Sequence, residues 1–171
     1  MDWIQTFSGR PFFPLAPRAE DVDIRDIAHA LSLNCRFNGH CRSFYSVAEH
    51  SVRVSREVPA GMELMALLHD AAEAYLTDVP RPIKQHLPQF SEIEERLLRV
   101  IFARFGQYWP APHAVWLADD TLLATEARDL MSPPPEPWNL SAAPLAERIV
   151  PVTAEQAERL FLACFHELGA K

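Results

Sequence analysis

The amino-acid sequence predicts an all-α protein with a single domain, a bundle of about six helices. Apolar residues recur at helical spacing in several segments of the 171-residue chain, and no convincing alternation of apolar and polar residues indicates a strand. The length suits one hydrophobic core. Glycine is scarce, with five residues in all, and the phosphate-binding motifs GxGxxG and GxxxxGK(S/T) do not occur.

The first part of the chain is expected to be an ordered extended arm followed by a helix. Residues 1–20 are rich in aromatic residues and proline, which favours an arm lying on the core over a helix. Helical spacing of apolar residues begins at Ile24 and ends near Asn34. Either Asp21 or Asp23 is the expected cap of this first helix.

A loop and two further helices are expected next. Residues 35–45, CRFNGHCRSFY, have no helical period and predict a loop. Ser46 is expected to cap a second helix that carries Val47, His50, Val54 and Val58 along one side. The segment MELMALLHDAAEAYL, residues 62–76, is apolar nearly all round and predicts a buried central helix. Prolines in the segment 77–82 should end it.

Three more helices complete the predicted bundle. The segment SEIE, residues 91–94, reads as a capping box that opens the fourth helix, and the fifth is expected over residues 113–131. Residues 132–152 predict a proline-rich surface loop. Thr153 and Gln156 form a second capping box for the last helix. The side chains expected on its inward face are Ala157, Leu160, Phe161, Cys164 and Leu168.

Composition argues against several functional classes. The formal net charge of −7 makes binding to a nucleic-acid polymer unlikely to be the function, but one metal ion and a few basic residues can still neutralise a small phosphorylated ligand. No stretch approaches the roughly 18 apolar residues of a membrane span, and the first residues do not resemble a secretory signal. The three cysteines form no CxxC pair. We therefore expect a cytoplasmic protein.

Candidate metal ligands lie on three predicted helices, the second, the buried central one and the fifth. His69 and Asp70 are adjacent in the buried helix, where an unpaired carboxylate would cost several kcal/mol. A divalent cation would compensate because it binds imidazole nitrogen and carboxylate oxygen, although a core salt bridge or hydrogen-bond network is the alternative. His50 adds a second imidazole. In ADDTLLATEARDL, the pair Asp119 and Asp120 interrupts a largely apolar stretch.

These segments resemble the HD superfamily of metal-dependent phosphohydrolases, whose pattern is H…HD…D. SVAEHSV, LLHDAAEAYLTDVPRPIK and ADDTLLATEARDL are similar to the branch that contains bacterial 5′-deoxynucleotidases. The resemblance covers residues 22–130 and implies an HD-domain fold, with Asp120 as a competitor for the last ligand. The implied ligands are His50, His69, Asp70 and Asp119. Such mixed ligation, with positions left open, fits one catalytic divalent transition metal ion: Mn, Co, Fe, Ni or Zn.

The same resemblance implies two carboxylates that handle protons during hydrolysis. Glu73 would share the face of His69 and Asp70 on a continuous helix, and could orient or deprotonate the attacking water. Asp78 follows in the proline-stiffened turn and would be its partner. The alternatives are a structural ion pair for Glu73 and turn capping for Asp78.

Phosphate contacts are expected from basic residues. Arg36 resembles the phosphate-contacting arginine of 5′-deoxynucleotidases because an aromatic residue, Phe37, follows it, and a guanidinium donates two parallel hydrogen bonds to phosphate. Arg42 competes with Arg36 for this role. Lys84 and Arg81 lie just beyond Asp78 and are further candidates, although exposed basic residues usually contact only water.

The expected function is metal-dependent hydrolysis of a nucleotide, with a deoxynucleoside 5′-monophosphate as the first choice of substrate. A deoxynucleoside triphosphate triphosphohydrolase or another nucleotide hydrolase is the alternative, and a non-catalytic metal-stabilised binding or regulatory protein is the alternative of another class. Family resemblance also implies a homodimer or higher homo-oligomer. A separate zinc set is incomplete by residue type. It would consist of Cys35, Cys41 and His40.

Overall fold

The computed structural model describes residues 2–169, and in that range the fold is mostly helical, as predicted. The helices are α1 Ile24–Leu33, α2 Val47–Arg56, α3 Glu63–Leu67, α4 Glu73–Leu76, α5 Arg81–Lys84, α6 Pro88–Arg104, α7 His113–Leu130 and α8 Ala154–Glu167. Two short strands, β1 Ile4–Gln5 and β2 Pro11–Phe12, pair antiparallel. Helices α1, α2 and α8 pack against one another, and α2 also packs against α3 and α7. Within residues 2–169, no helix is long and apolar enough to cross a membrane.

The N-terminal segment forms a small hairpin that the sequence did not predict, because two-residue strands are too short to give an alternating pattern. Phe12 of β2 is 1% exposed and stacks on Tyr75, with the ring centroids 3.9 Å apart. Asp26 of α1 accepts hydrogen bonds from the backbone N–H and the hydroxyl of Ser8, at 2.6 and 2.9 Å. The hairpin is therefore fixed to the core at both a polar and an apolar contact. Met1 lies outside the described residues.

Helix caps were predicted well where a side chain accepts a backbone hydrogen bond. Asp23 caps α1, Ser46 caps α2, and Thr153 with Gln156 forms the predicted capping box of α8. The inward face of α8 was predicted less well, because Leu160 is 37% exposed. The side chains buried on α8 are Ala157, Phe161 and Phe165.

Helix α6 begins four residues earlier than predicted. Its first residue is Pro88, so Ser91 lies within its first turn and is not a cap. A proline at the first helical position has its φ angle already set for a helix and has no N–H to leave unpaired. Here that signal prevailed over the SEIE pattern. The buried face of α6 carries Leu97, Leu98, Ile101 and Phe102.

The predicted central helix, residues 62–76, is interrupted by tight turns between α3 and α4. The N–H of His69 bonds the carbonyl of Ala66, three residues back rather than four. The Nδ1 of the His69 imidazole also contacts this carbonyl, at 2.7 Å. In a continuous helix the N–H of Asp70 would bond there, so the imidazole competes with the backbone and the helix is broken at the His–Asp pair.

The irregular segment 132–152 is fixed to the end of α7 by one carboxylate. The side chain of Asp129 is 3% exposed and accepts hydrogen bonds from the Arg148 side chain at 2.7 Å and the Ile149 N–H at 2.9 Å. The neighbouring Arg128 also donates to it. The hydrogen bond from Arg128 lowers the pKa of Asp129 most. Burial acts in the opposite direction, but hydrogen bonds from Ile149 and Arg148 add to the lowering.

Replacement of Asp129 by Asn should lower the free energy of unfolding by about 1–3 kcal/mol, because charged donors lose their ionised acceptor. The folded pKa of Asp129 lies below the unfolded value of about 3.9, so its contribution is present above that pH and is lost as the pH falls. Between pH 6 and pH 3, the melting temperature of the wild-type protein should therefore fall further than that of Asp129→Asn. Glu136→Gln, an exposed change in the same segment, is the control. Equal pH dependence in Asp129→Asn and wild type would contradict this role.

Candidate metal centre

His50 lies on α2 and is fully buried. Its Nδ1 is 2.6 Å from Oε1 of Glu126 on α7. An ionised carboxylate can only accept a hydrogen bond, so we assign the proton to Nδ1. In the neutral form of His50, the other nitrogen, Nε2, then carries the lone pair.

His69 is oriented in the same way by a backbone carbonyl. The Ala66 carbonyl 2.7 Å from its Nδ1 can only accept, so Nδ1 is the donor and Nε2 carries the lone pair. The Nε2 atoms of His50 and His69 are 3.4 Å apart. At this distance the two nitrogens can share a proton in a hydrogen bond or bind one metal ion between them, which makes the pair a site for positive charge.

Two carboxylates complete this cluster. Oδ1 of Asp119 is 3.2 Å from Nε2 of His50, and Oδ2 of Asp70 lies 3.6 Å from His50 Nε2 and 3.3 Å from His69 Nε2. The ligand atoms of His50, His69 and Asp119 all lie within 4.8 Å of one another, so this group could hold a metal ion. Asp70 borders both imidazoles and is 3.5 Å from the guanidinium of Arg36.

The electrostatic surroundings favour positive charge at His50. Burial and then Arg36 lower the pKa of His50, but Glu126 and Asp119 outweigh them and raise it to about 9. Burial opposes ionisation of Asp119, but a hydrogen bond from His50 and the nearby positive charges lower its pKa. A divalent cation would satisfy both imidazole nitrogens and the carboxylate, and mixed nitrogen and oxygen ligands are typical of transition metals.

Glu126 is a residue that the sequence analysis missed. It is fully buried on α7, where Oε1 accepts from His50 and from the Tyr45 hydroxyl at 2.9 Å, and Oε2 accepts from Arg36 at 3.1 Å. Burial alone would raise its pKa, but Arg36 and His50 lower it. It lies seven residues after Asp119, which is two helical turns along the same face of α7. This spacing is the sequence signal that could have identified Glu126 as part of the site.

A cavity of about 550 Å³ lies beside the cluster, with the two histidines buried behind its wall. Seven of the sequence-predicted site residues line it: Arg36, Asp70, Glu73, Asp78, Arg81, Lys84 and Asp119. Asp119 therefore belongs to the group around the two histidines and also lines the cavity. Asp120 instead accepts a hydrogen bond from the Ser141 hydroxyl at 2.8 Å.

Glu73 and Asp78 are two carboxylates in an unusual environment. Oε2 of Glu73 is buried and has no hydrogen-bond partner within residues 2–169. Burial, followed by repulsion from Asp70 and Asp78, raises the pKa of Glu73 well above its usual value. Burial also raises the pKa of Asp78. The preceding residue, Thr77, has a positive φ of 74°. Carboxyl groups with pKa values shifted in this way are often found at functional sites.

Arg36 is held at the cavity by the base of its loop. The N–H of Arg36 bonds the carbonyl of Tyr45 at 3.0 Å, and Cys35 forms a β-bridge with Ser46. Arg42, its competitor in the sequence analysis, is not among the residues that line the cavity. The Arg42 guanidinium donates to a backbone carbonyl at the end of α7, at 2.7 Å.

The other candidate residues lie at the edge of the site or outside it. Lys84 lines the cavity but its ammonium group pairs with Glu94 at 2.6 Å, whereas Arg81 lines the rim and its side chain is 67% exposed. The residues of the incomplete zinc set are not part of the candidate metal group. Within residues 2–169, no group of three or more potential ligands that could hold a metal ion contains Cys35, His40 or Cys41.

The fold and the site thus define a mostly helical protein with a buried group of histidine and aspartate side chains that could hold a metal ion. No protein-family model matches the chain. The chain is 39% identical to the uncharacterized protein YfdR of Escherichia coli K12, over 99% of this chain and 97% of YfdR, and it belongs to the same family. It is also 35% identical to an uncharacterized protein of Rhodobacter capsulatus, over 75% of this chain and 72% of that protein.

The choice between neighbouring aspartates can be tested by metal content. Asp119→Ala should lose bound transition metal because it removes an oxygen beside the imidazole pair, whereas Asp120→Ala should keep it. Metal per folded chain, measured by elemental analysis after dialysis, is the readout. Retention in Asp119→Ala with loss in Asp120→Ala would reverse the assignment.

Glu126→Gln should weaken metal affinity by about 10- to 100-fold, because the orienting carboxylate behind His50 loses its charge. Glu49→Gln is a matched control: Glu49 is a buried glutamate next to His50 in sequence, but it bonds Arg53 and the Val152 N–H instead of the imidazole. Metal titration of both variants is the measurement. Equal affinity in the two variants would refute an orienting role for Glu126.

Proposed function

We propose that this protein is a metal-dependent phosphohydrolase with an HD-domain fold, and that its substrate is a deoxynucleoside 5′-monophosphate. One observation carries the proposal: two buried imidazoles, each oriented through Nδ1, direct their Nε2 atoms toward each other at 3.4 Å beside Asp119 and Asp70. The two aspartates also line the adjoining cavity. The H…HD…D pattern of the sequence fits the same four residues.

The residues present fit a divalent transition metal ion. His50, His69 and Asp119 would hold it, with Asp70, 3.3 Å from Nε2 of His69, as the fourth ligand. The two aspartates also line the cavity where a substrate would bind. Such an ion would supply Lewis acidity toward a phosphoryl oxygen and toward water. The protein contributes the orientation of the imidazoles and a partly enclosed space.

Glu73 is the candidate proton acceptor for the attacking water. Its buried, unpartnered oxygen and raised pKa suit a carboxyl group that takes up a proton when a new bond to phosphorus forms. Asp78, also with a raised pKa, is the candidate partner that returns a proton to the leaving ester oxygen. The products are then a deoxynucleoside and inorganic phosphate. A protein that only binds a nucleotide would have no use for these two carboxylates.

Arg36 is the candidate phosphate ligand among the basic residues. It lines the cavity, and its guanidinium is held by Glu126 at 3.1 Å, which limits its rotamers. A fixed guanidinium can neutralise a phosphoryl oxygen without a large entropic cost. A triphosphohydrolase is the second candidate function, and the exposed Arg81 at the rim favours it, because a longer phosphate chain would reach that side chain.

The function is tested with metal-loaded protein and a panel of deoxynucleoside mono- and triphosphates, ribonucleotides and sugar phosphates. We expect release of inorganic phosphate from the deoxynucleoside monophosphates. Triphosphate release from deoxynucleoside triphosphates would favour the second candidate. Nucleotide binding without any phosphate release would favour the non-catalytic alternative and refute the proposal.

Glu73→Gln is the sharper test of catalysis. It should keep bound metal and nucleotide binding but lower kcat by about 100-fold or more, the usual effect of lost acid–base assistance. Glu92→Gln, an exposed change on α6, is the control for charge loss alone. A kcat equal to that of the wild type in metal-loaded Glu73→Gln would exclude the assigned role.

A further inference from the structure

The cavity has a charged end and an aromatic end. Asp70, Asp119 and Arg36 form the charged end, beside the histidine pair. Phe37 and Trp138 line the other part, with ring centroids 6.1 Å apart and planes tilted by 54°. The guanidinium carbon of Arg36 lies 5.3 Å from the Phe37 ring centroid, so the two ends adjoin at this residue pair.

Trp138 reaches the cavity from a segment distant in sequence. It belongs to the proline-rich stretch SPPPEPWNL, where the prolines restrict the backbone. Three residues later, the Ser141 hydroxyl donates to Asp120 on α7 at 2.8 Å. Because Asp120 follows Asp119, this bond ties the segment that carries Trp138 to the part of α7 that borders the metal cluster.

The two rings are too close and too tilted to enclose a planar group between parallel faces. They instead form two walls of a corner, in which a flat group can stack on one ring and meet the other at its edge. Trp138 is 41% exposed, which leaves much of the indole available for such a contact. The site therefore offers aromatic surface next to anion-binding groups.

The other uncharged side chains of the cavity offer little for hydrogen bonding. They are Val79, Pro80, Pro82, Leu123 and Trp116. Of these side chains, only the Trp116 indole has a polar hydrogen, and that ring lies by His69, 6.2 Å between centroids. Recognition at the aromatic end must then rely mainly on stacking, which accepts any heteroaromatic ring.

We propose that Trp138 and Phe37 form a base-binding corner, so that the substrate is a nucleotide whose base stacks there while its phosphate lies near Arg36. This rests on the proposed function and deepens it, because it assigns the part of the substrate that is not hydrolysed. Stacking discriminates weakly among bases, so all four deoxynucleoside monophosphates are substrates. A sugar phosphate without a base loses the contact.

The test compares Trp138→Leu with Trp138→Phe, since leucine keeps apolar bulk but not an aromatic face. With a deoxynucleoside 5′-monophosphate, Trp138→Leu should raise KM by about 10-fold and Trp138→Phe should restore most of the loss. With 2-deoxyribose 5-phosphate, which has no base, KM should be the same in both variants and the wild type. Tyr108→Leu, at an aromatic residue that is 64% exposed and does not line the cavity, is the control.

Two results would overturn the proposal. One is an equal rise in KM for both substrates in Trp138→Leu, which would mean that the residue only shapes the cavity. The other is no change for either substrate. If the wild type hydrolyses nothing, the proposed function fails, but the corner is still tested by binding. Equilibrium dialysis should then show that the preference for the nucleotide over 2-deoxyribose 5-phosphate depends on an aromatic residue at 138, and equal binding of the two would refute it.

Discussion

The buried carboxylate of Glu126 is the contact on which the site depends. It joins a helix, a loop and a second helix, because it accepts hydrogen bonds from His50, Tyr45 and Arg36. A carboxylate without these partners would be costly to bury, and each partner would in turn lose its orientation. The imidazole that faces the cluster and the guanidinium that faces the cavity are thus fixed by the same two oxygen atoms.

Much of the fold could be predicted because most of its signals are local. Caps such as Ser46 and Thr153 act over three residues, and the apolar period marks the long helices. The predictions failed where two structural signals in the same segment favoured different outcomes, because a sequence pattern does not show which one prevails. At Pro88 two start signals lay within four residues, and at His69 a side chain took the carbonyl that helical periodicity assigned to the backbone. The hairpin at residues 4–12 depends on Phe12 and Asp26, which are contacts of tertiary structure.

In the candidate site, too, the residues that the sequence predicted are those with a local signal, and the residues that it missed depend on tertiary contacts. Residue types and the family resemblance drew attention to His50, His69 and Asp119, whose side chains the structure brings within reach of one ion. Arg42 was indistinguishable from Arg36 in a loop without periodicity, and only the closure of that loop on Tyr45 separates them. Trp138 had no signal at all, because nothing in a proline-rich segment indicates where it folds back. Metal identity, catalysis and oligomeric state stay predictions.

Helix α7 carries Asp119 and Glu126 on one face, and through Asp120 and Asp129 it also holds the segment that bears Trp138. A small rotation or shift of this one helix would move all of these groups together. Under the proposed function, changes in ion preference and changes in substrate preference would therefore be mechanically linked. Relatives that diverge in the ligand they accept should carry compensating substitutions along α7, whereas loops that do not contact it are free to vary.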